Sequence, residues 1–199
     1  YAEVAPDFFL PHDEDMGQPH PDKLKKLPLF RQLPPSALKR LTQCMYEKKI
    51  ASAKVLFEQG APSNAAFIVV NGLFSAELVL PDGGTVEMAR MGTGAVFGEL
   101  CLIRPGPRSL RVRALKSGEL IGIDRERFET LREQKDAGVY RVLRNICVMS
   151  CDRLRNTNEF IERELRHEQM VAVDETLGDR GTLVERARHY LSTLFGKGD

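Results

Sequence analysis

Three textures of apolar and polar positions follow one another along the chain. From Asp22 to about Tyr46 apolar residues recur at helical spacing, interrupted by Pro28 and by Pro34-Pro35. Ser36 stands where an N-cap opens a helix through Ala37, Leu38, Leu41 and Met45. From Glu47 the pattern turns to short β-type runs at 55–57, 66–70, 74–80, 85–91, 110–114 and 120–123, with glycines between or beside them. Pro81-Asp82-Gly83-Gly84 reads as a hairpin turn between two alternating strands. Short strands at such regular intervals predict a small antiparallel barrel or jelly roll.

After Asp124 the helical period returns. A short helix is expected over 125–132 and a long one over 137–167, interrupted by no proline. The long helix places Tyr140, Leu143, Cys147, Cys151, Leu154, Ile161 and Leu165 on one face. Positions 147, 151, 154, 158, 161 and 165 alternate steps of four and three, a heptad seam. With Cys151 at a and Leu154 at d, Asn158 falls at a, which favours a parallel, in-register homodimer through 137–166. Residues 168–199 read as a linker and a terminal amphipathic helix over 182–196, with Leu183, Ala187, Tyr190, Leu191 and Leu194 on its apolar side.

Composition bounds the class. At 199 residues, 42% hydrophobic and 29% charged, the chain reads as one folded domain with appendages. No apolar run reaches the roughly 18 residues of a spanning helix, so no membrane passage is expected. Net charge is +1, which offers no general argument for nucleic-acid binding. The charge is nonetheless uneven: residues 1–22 hold six acidic residues, no Lys or Arg, and four prolines. That stretch reads as an acidic extended arm, with Phe8, Phe9 and Leu10 as either an anchor or part of a loose tail. The remainder carries 29 basic against 22 acidic residues. Four cysteines make no disulfide framework in a chain this long, and with no signal segment at its start a cytoplasmic location is expected.

The stretch that carries chemistry is Phe97-Gly98-Glu99-Leu100-Cys101-Leu102-Ile103-Arg104-Pro105-Gly106-Pro107-Arg108-Ser109, between two strand-like runs. Gly98 lets backbone approach a ligand closely. Residues 99–103 have room for one helical turn whose amides face an anion. Arg108 offers a permanently charged, two-pronged phosphate clamp. Glu99 suits such a place as an acceptor for sugar hydroxyls. On composition alone, a sugar–phosphate pocket and an ordinary surface turn both fit. No Walker-type triphosphate loop is present. His12, His20, His167 and His189 show no metal-ligand spacing, so neither a metal nor catalysis is expected. Cys147 and Cys151 read as buried seam thiols in preference to a metal or redox site.

The motif FGELCLIRPGPRSL resembles the phosphate-binding cassette of the cyclic nucleotide-binding family, F-G-E-[LI]-A-L, a spacer, then P-R-[AST]-A. Gly60 and Gly72, twelve apart around AAFIVVNG, match an upstream glycine pattern of that family. The order of elements over about 27–166 resembles it too. The resemblance implies an α+β fold: an eight-stranded antiparallel β-barrel (jelly roll) with N-terminal helices and a long C-terminal dimerisation helix. The domain boundaries it implies are an arm at 1–22, a binding domain at 23–135, the helix at 136–167 and the tail at 168–199.

It also implies roles. Glu99 accepts from the ribose 2′-hydroxyl, Arg108 pairs with the cyclic phosphate, and amides of Gly98, Leu100, Cys101 and Ser109 complete the cradle. In members similar to catabolite activator protein the long helix caps the purine. Thr157 then contacts the base from its own subunit and Asn158 from the partner. The ligand is cyclic AMP sooner than cyclic GMP. Ser109 and Asn158 do not by themselves decide the base. Cys101 and Leu110 stand where small Ala is usual, and Ala95 replaces an acidic residue. These departures keep open a degenerate dimerisation or docking scaffold. The chain holds no recognition helix after the long helix, so this stretch is expected not to bind DNA. It reads as a sensor reporting to an unknown downstream protein, or as part of a transcription factor that continues beyond Asp199.

Overall fold

The computed structural model describes residues 17–171. The docking of Phe8-Phe9-Leu10, most of the acidic arm, and the linker and helix after residue 171 lie outside the described residues, as does the side chain of Leu165. Helix α1 (Pro21–Lys25) starts inside the stretch read as an extended arm. Pro21 lies in its first turn, where a missing N–H costs nothing. The preceding backbone is already tied down, since Gly17 O accepts from Glu47 N at 3.1 Å.

Helix α2 spans Pro35–Leu41, with Pro34 in the cap position and no side-chain cap bond. Ser36 is therefore not the N-cap. The fixed φ of Pro35 already suits the first helical position, which moves the boundary back. Met45 is not helical either. Strand β1 (Met45–Ile50) pairs along β6 (Arg111–Asp124), with Met45 opposite Ile123 and Tyr46 opposite Gly122. Pairing with a distant strand overrides the local helical spacing there.

The remaining strands are β2 (Val55–Phe57), β3 (Ala65–Val79), β4 (Thr85–Met91), β5 (Val96–Phe97) and β6 (Arg111–Asp124). All pairings are antiparallel, in the order β1-β6-β3-β4, with β2 on β6 and β5 on β3. The sequence runs at 66–70 and 74–80 are one strand, and so are those at 110–114 and 120–123. Gly72 and Gly118 explain this. A Cβ on Gly72 would lie 2.7 Å from Gly118 Cα, and one on Gly118 would lie 2.5 Å from Asn71 O. Two bare backbones cross there, and the register shifts around Asn71–Leu73. The glycines thus kink the ladder without breaking it. Six strands among the described residues stand where eight were expected. The antiparallel sheet flanked by helices is consistent with the jelly-roll fold.

Strand β3 feeds two apolar clusters by simple alternation. Ala66 and Ile68 join Leu24, Phe30, Leu41, Phe128 and Ile146 beneath the helices. Ala65, Phe67 and Val69 join Phe74, Met91 and Leu120 inside the sheet.

Asp124 caps helix α3 (Arg125–Glu133), accepting from Arg127 N at 2.8 Å. Helix α4 (Ala137–Val171) is anchored at its start, where Asp136 accepts from Gly138 N and from Arg40 Nε. Asn145 Nδ2 donates to Leu29 O at 2.8 Å, and Val139, Val142 and Ile146 are fully buried. Past that point α4 keeps contact with the body through Met149 and Arg153. Among the described residues, no helix is long and apolar enough to cross a membrane.

Candidate functional site

The pairing of β3 with β5, Phe67 opposite Phe97 and Ile68 opposite Val96, delivers the chain to Gly98. Gly98 has φ +66° and leads into one 3-10 turn, Glu99–Leu102. A Cβ on Gly98 would lie 2.3 Å from Arg108 Nη1, so both the left-handed φ and the contact call for glycine.

Arg108 is brought to the same place by a clasp of backbone bonds. Arg108 N donates to Ala61 O and Gly60 N donates to Arg108 O, each at 2.8 Å. The upstream Gly60 motif thus holds the Arg108 backbone. The Arg108 side chain is 6% exposed, and its Nη2 donates to Ala65 O at 2.7 Å. Its guanidinium carbon sits 4.0 Å from the centre of the Phe57 ring, with Phe67 behind at 5.7 Å. Nε and Nη1 are buried with no hydrogen-bond partner among the described residues. Loss of water lowers the pKa of this arginine from its usual value. A buried cation with two idle donors is costly unless an anion answers it.

Arg108, Gly98 and Phe57 line a cavity of about 590 Å³. Its wall also holds Glu99, Cys101, Ser109, Leu110 and, from α4, Arg153. Glu99 is 8% exposed, and its Oε1 accepts from Arg153 Nη1 at 2.7 Å. Arg153 Nη2 reaches Val96 O at 2.6 Å. The long helix is therefore latched to the cassette by one arginine.

The expected residues fall into two groups. Gly98, Glu99, Leu100, Cys101, Arg108 and Ser109 all line the cavity. Within it, the Leu100 side chain is 58% exposed, and the Cys101 amide closes the turn on Gly98 O at 3.4 Å. Burial raises the pKa of the Cys101 thiol, opposed by its hydrogen bond with Ser63. Leu110 is half-buried and packs on the inner sheet cluster, and Ala95 is buried in that cluster. Thr157 and Asn158 are not in the lining. Thr157 is half-buried with its Oγ1 on Arg153 O at 2.9 Å, and Asn158 is exposed.

The sequence reading missed Arg153 and Phe57 as site residues. Arg153 did leave a signal. It continues the stripe Val139, Val142, Ile146 and Met149, so it is a lone charge on the helix face turned toward the body. Among the described residues no cluster of three or more His, Cys, Asp and Glu side chains is placed to hold a metal.

Comparison with known proteins agrees with this geometry. Residues 47–135 match the family model described as cyclic nucleotide-binding domain. The chain is 25% identical over 135 residues to a CRP-like cAMP-activated global transcriptional regulator of Mycobacterium tuberculosis. That match covers 68% of this chain and 58% of the relative, so this chain spans little more than half the relative's length. Among solved structures, the regulatory domain of Toxoplasma gondii PKA, crystallised with cAMP, is similar at 27% identity and TM-score 0.50. The overlap is 55% of this chain and 42% of that one. The catabolite activator protein of Thermus thermophilus shares the fold at TM-score 0.59 and 23% identity, over 84% of each chain. By cassette, clasp and family match together, residues 47–135 of this chain are similar to the cyclic nucleotide-binding domain family.

Proposed function

We propose that this chain is a non-catalytic cyclic nucleotide sensor that acts as a dimeric regulator and prefers cyclic AMP to cyclic GMP. The observation that carries the reading is Arg108, a buried guanidinium whose Nε and Nη1 lack partners at the wall of a nucleotide-sized cavity. An exocyclic phosphate oxygen answers those donors and supplies the missing counter-charge. Glu99 keeps acceptor capacity beside its bond to Arg153 and takes the ribose 2′-hydroxyl. Amides of Gly98, Leu100, Cys101 and Ser109 complete the cradle, the Cys101 amide shared with its turn bond.

Thr157 lies one turn past Arg153, so a small approach of α4 sets it over the purine, with Asn158 supplied by a second subunit. The dimer uses residues 137–166, whose stripe of Tyr140, Leu154 and Ile161 stands 52%, 64% and 47% exposed. Cyclic AMP is favoured because the mycobacterial relative is described as cAMP-activated and the Toxoplasma domain was crystallised with cAMP. Ligand then shifts a two-state equilibrium in which α4 is held more or less closely over the pocket, and a cytoplasmic protein partner reads the helix.

Calorimetry with cyclic AMP and cyclic GMP tests this. Saturable heat is expected with both, at lower concentration for cyclic AMP. No heat with either nucleotide would sink the reading in favour of a scaffold that has lost its ligand.

A further inference from the structure

We infer that Cys147 and Cys151 form an oxidation site that a second copy of this chain completes, yielding disulfides across the α4 seam. This rests on the dimer reading above. The chain has four cysteines. Cys44 and Cys101 are buried in the body at 0% and 5% exposure, and Cys44 Sγ donates to Leu41 O at 3.0 Å. Buried thiols of this kind are inert. Cys147 and Cys151 are exposed, and both are free.

Neither has a partner within its own chain. They lie four residues apart on one helix, which sets their Cβ atoms about 5–6 Å apart. A disulfide needs a Cβ separation of about 3.5–4.5 Å. The other two thiols are sealed in the body. The complementary sulfur must therefore come from another molecule.

The second copy is the occupant the helix favours. The body of the same chain uses a different stripe of α4, namely Val139, Val142, Ile146 and Arg153. The stripe left over carries Cys147 at d, Cys151 at a, Leu154 at d, Asn158 at a and Ile161 at d. A polar Asn at a is best satisfied by an identical Asn opposite it, which argues for self-pairing in register. In that arrangement each thiol faces its own counterpart across the seam, at a Cα separation near the disulfide range of about 4.4–6.8 Å.

Hydrogen peroxide is a sufficient oxidant. One Cys147 thiolate attacks a peroxide oxygen, the O–O bond breaks, and a sulfenic acid and hydroxide result. The second copy's Cys147 sulfur then attacks that sulfenic sulfur and displaces hydroxide. Two thiols and one peroxide become one disulfide and two waters. The bond lies within one or two turns of Arg153, so it staples the part of α4 that reaches into the nucleotide cavity.

The test uses the full chain. Sedimentation in reductant reads the dimer, and non-reducing electrophoresis after peroxide reads the bond. Expected results are a dimer in reductant, a covalent dimer after peroxide that reductant reverses, continued cross-linking in Cys147→Ser and in Cys151→Ser, and none in the double variant. A reduced dimer that never cross-links overturns the thiol site and leaves the dimer standing. Cross-linking by the double variant overturns it as well. Loss of the bond in both single variants means that Cys147 meets Cys151 and overturns the parallel register. A monomer in reductant brings down the dimer reading and this inference together, while calorimetry judges nucleotide binding separately.

Discussion

Phe74, Leu120 and Ile121 in the sheet have no exposed surface, whereas Leu154 on the outer part of α4 leaves 64% of its surface open. The two regions use the same kinds of side chain under opposite conditions. The body fills its own interior from residues distant in sequence. The helix past Ile146 presents an apolar stripe that the other described residues leave exposed. Stability therefore belongs to the body, and under the proposed function the response to partner and ligand belongs to the helix. The cavity lies where the two meet, with Arg153 the residue of α4 that reaches its wall.

Phe74→Ala tests the contrast most severely. Removing a wholly buried ring from the sheet should cost about 3–5 kcal/mol, measured by denaturant unfolding. A small loss there would mean that the sheet interior is not the source of stability. Arg108→Ala comes next. It should weaken cyclic nucleotide binding by about 2–5 kcal/mol, roughly 30-fold at the least, by calorimetry. The apo melting temperature should change little, because the removed charge was buried without a full set of partners. A collapse of the apo fold would reassign Arg108 from binding to structure. Leu154→Ala separates the regions in the other direction. It should leave unfolding of the body unchanged yet weaken dimerisation by about 1.5–3 kcal/mol per buried leucine, read by sedimentation.

The last contrast is in alkali, where the effect is spread over several pH units. Burial pushes the Cys44 thiol up to about 12 from 9.0 and the Tyr46 phenol up to about 12 from 10.0. Between those values the unfolded chain releases protons that the folded body retains. Stability should therefore fall as pH rises from about 9 to 12, by up to about 1.4 kcal/mol per pH unit for each group. Cys44→Ala should make that decline shallower in pH-dependent unfolding. An unchanged slope would place the sensitivity elsewhere than in the buried body.

Much of the site was legible along the chain because its chemistry is local. Gly98, Glu99 and Arg108 stand within eleven consecutive residues, and the turn between them needs a glycine at one end and a cation at the other. Other features were not legible. Met45 and Tyr46, the first residues of β1, read as the tail of a helix until β6 pairs with them, and β5 is only two residues long. The glycines at 72 and 118 look like strand ends, and only their crossing shows that both strands run through. Ser36 has the right chemistry for a cap but stands two residues too late, behind a proline that already begins the helix.

The order of residues alone determined the cassette, the heptad on α4 and the alternation that makes a two-sided sheet. Each of these depends on spacings of a few residues, over which backbone geometry permits few alternatives. Tertiary structure decided what lies beneath and beside the cassette. Phe57 under Arg108, Ala65 O as its hydrogen-bond acceptor, and Arg153 against Glu99 come from segments 43 to 54 residues away. Contacts at such separations follow from how the chain packs, and no local pattern encodes them. The division holds for the cysteines as well. Their spacing is plain in the sequence, but burial of Cys44 and Cys101 and exposure of Cys147 and Cys151 exist only once the body has closed around the first pair and left the helix open at the second.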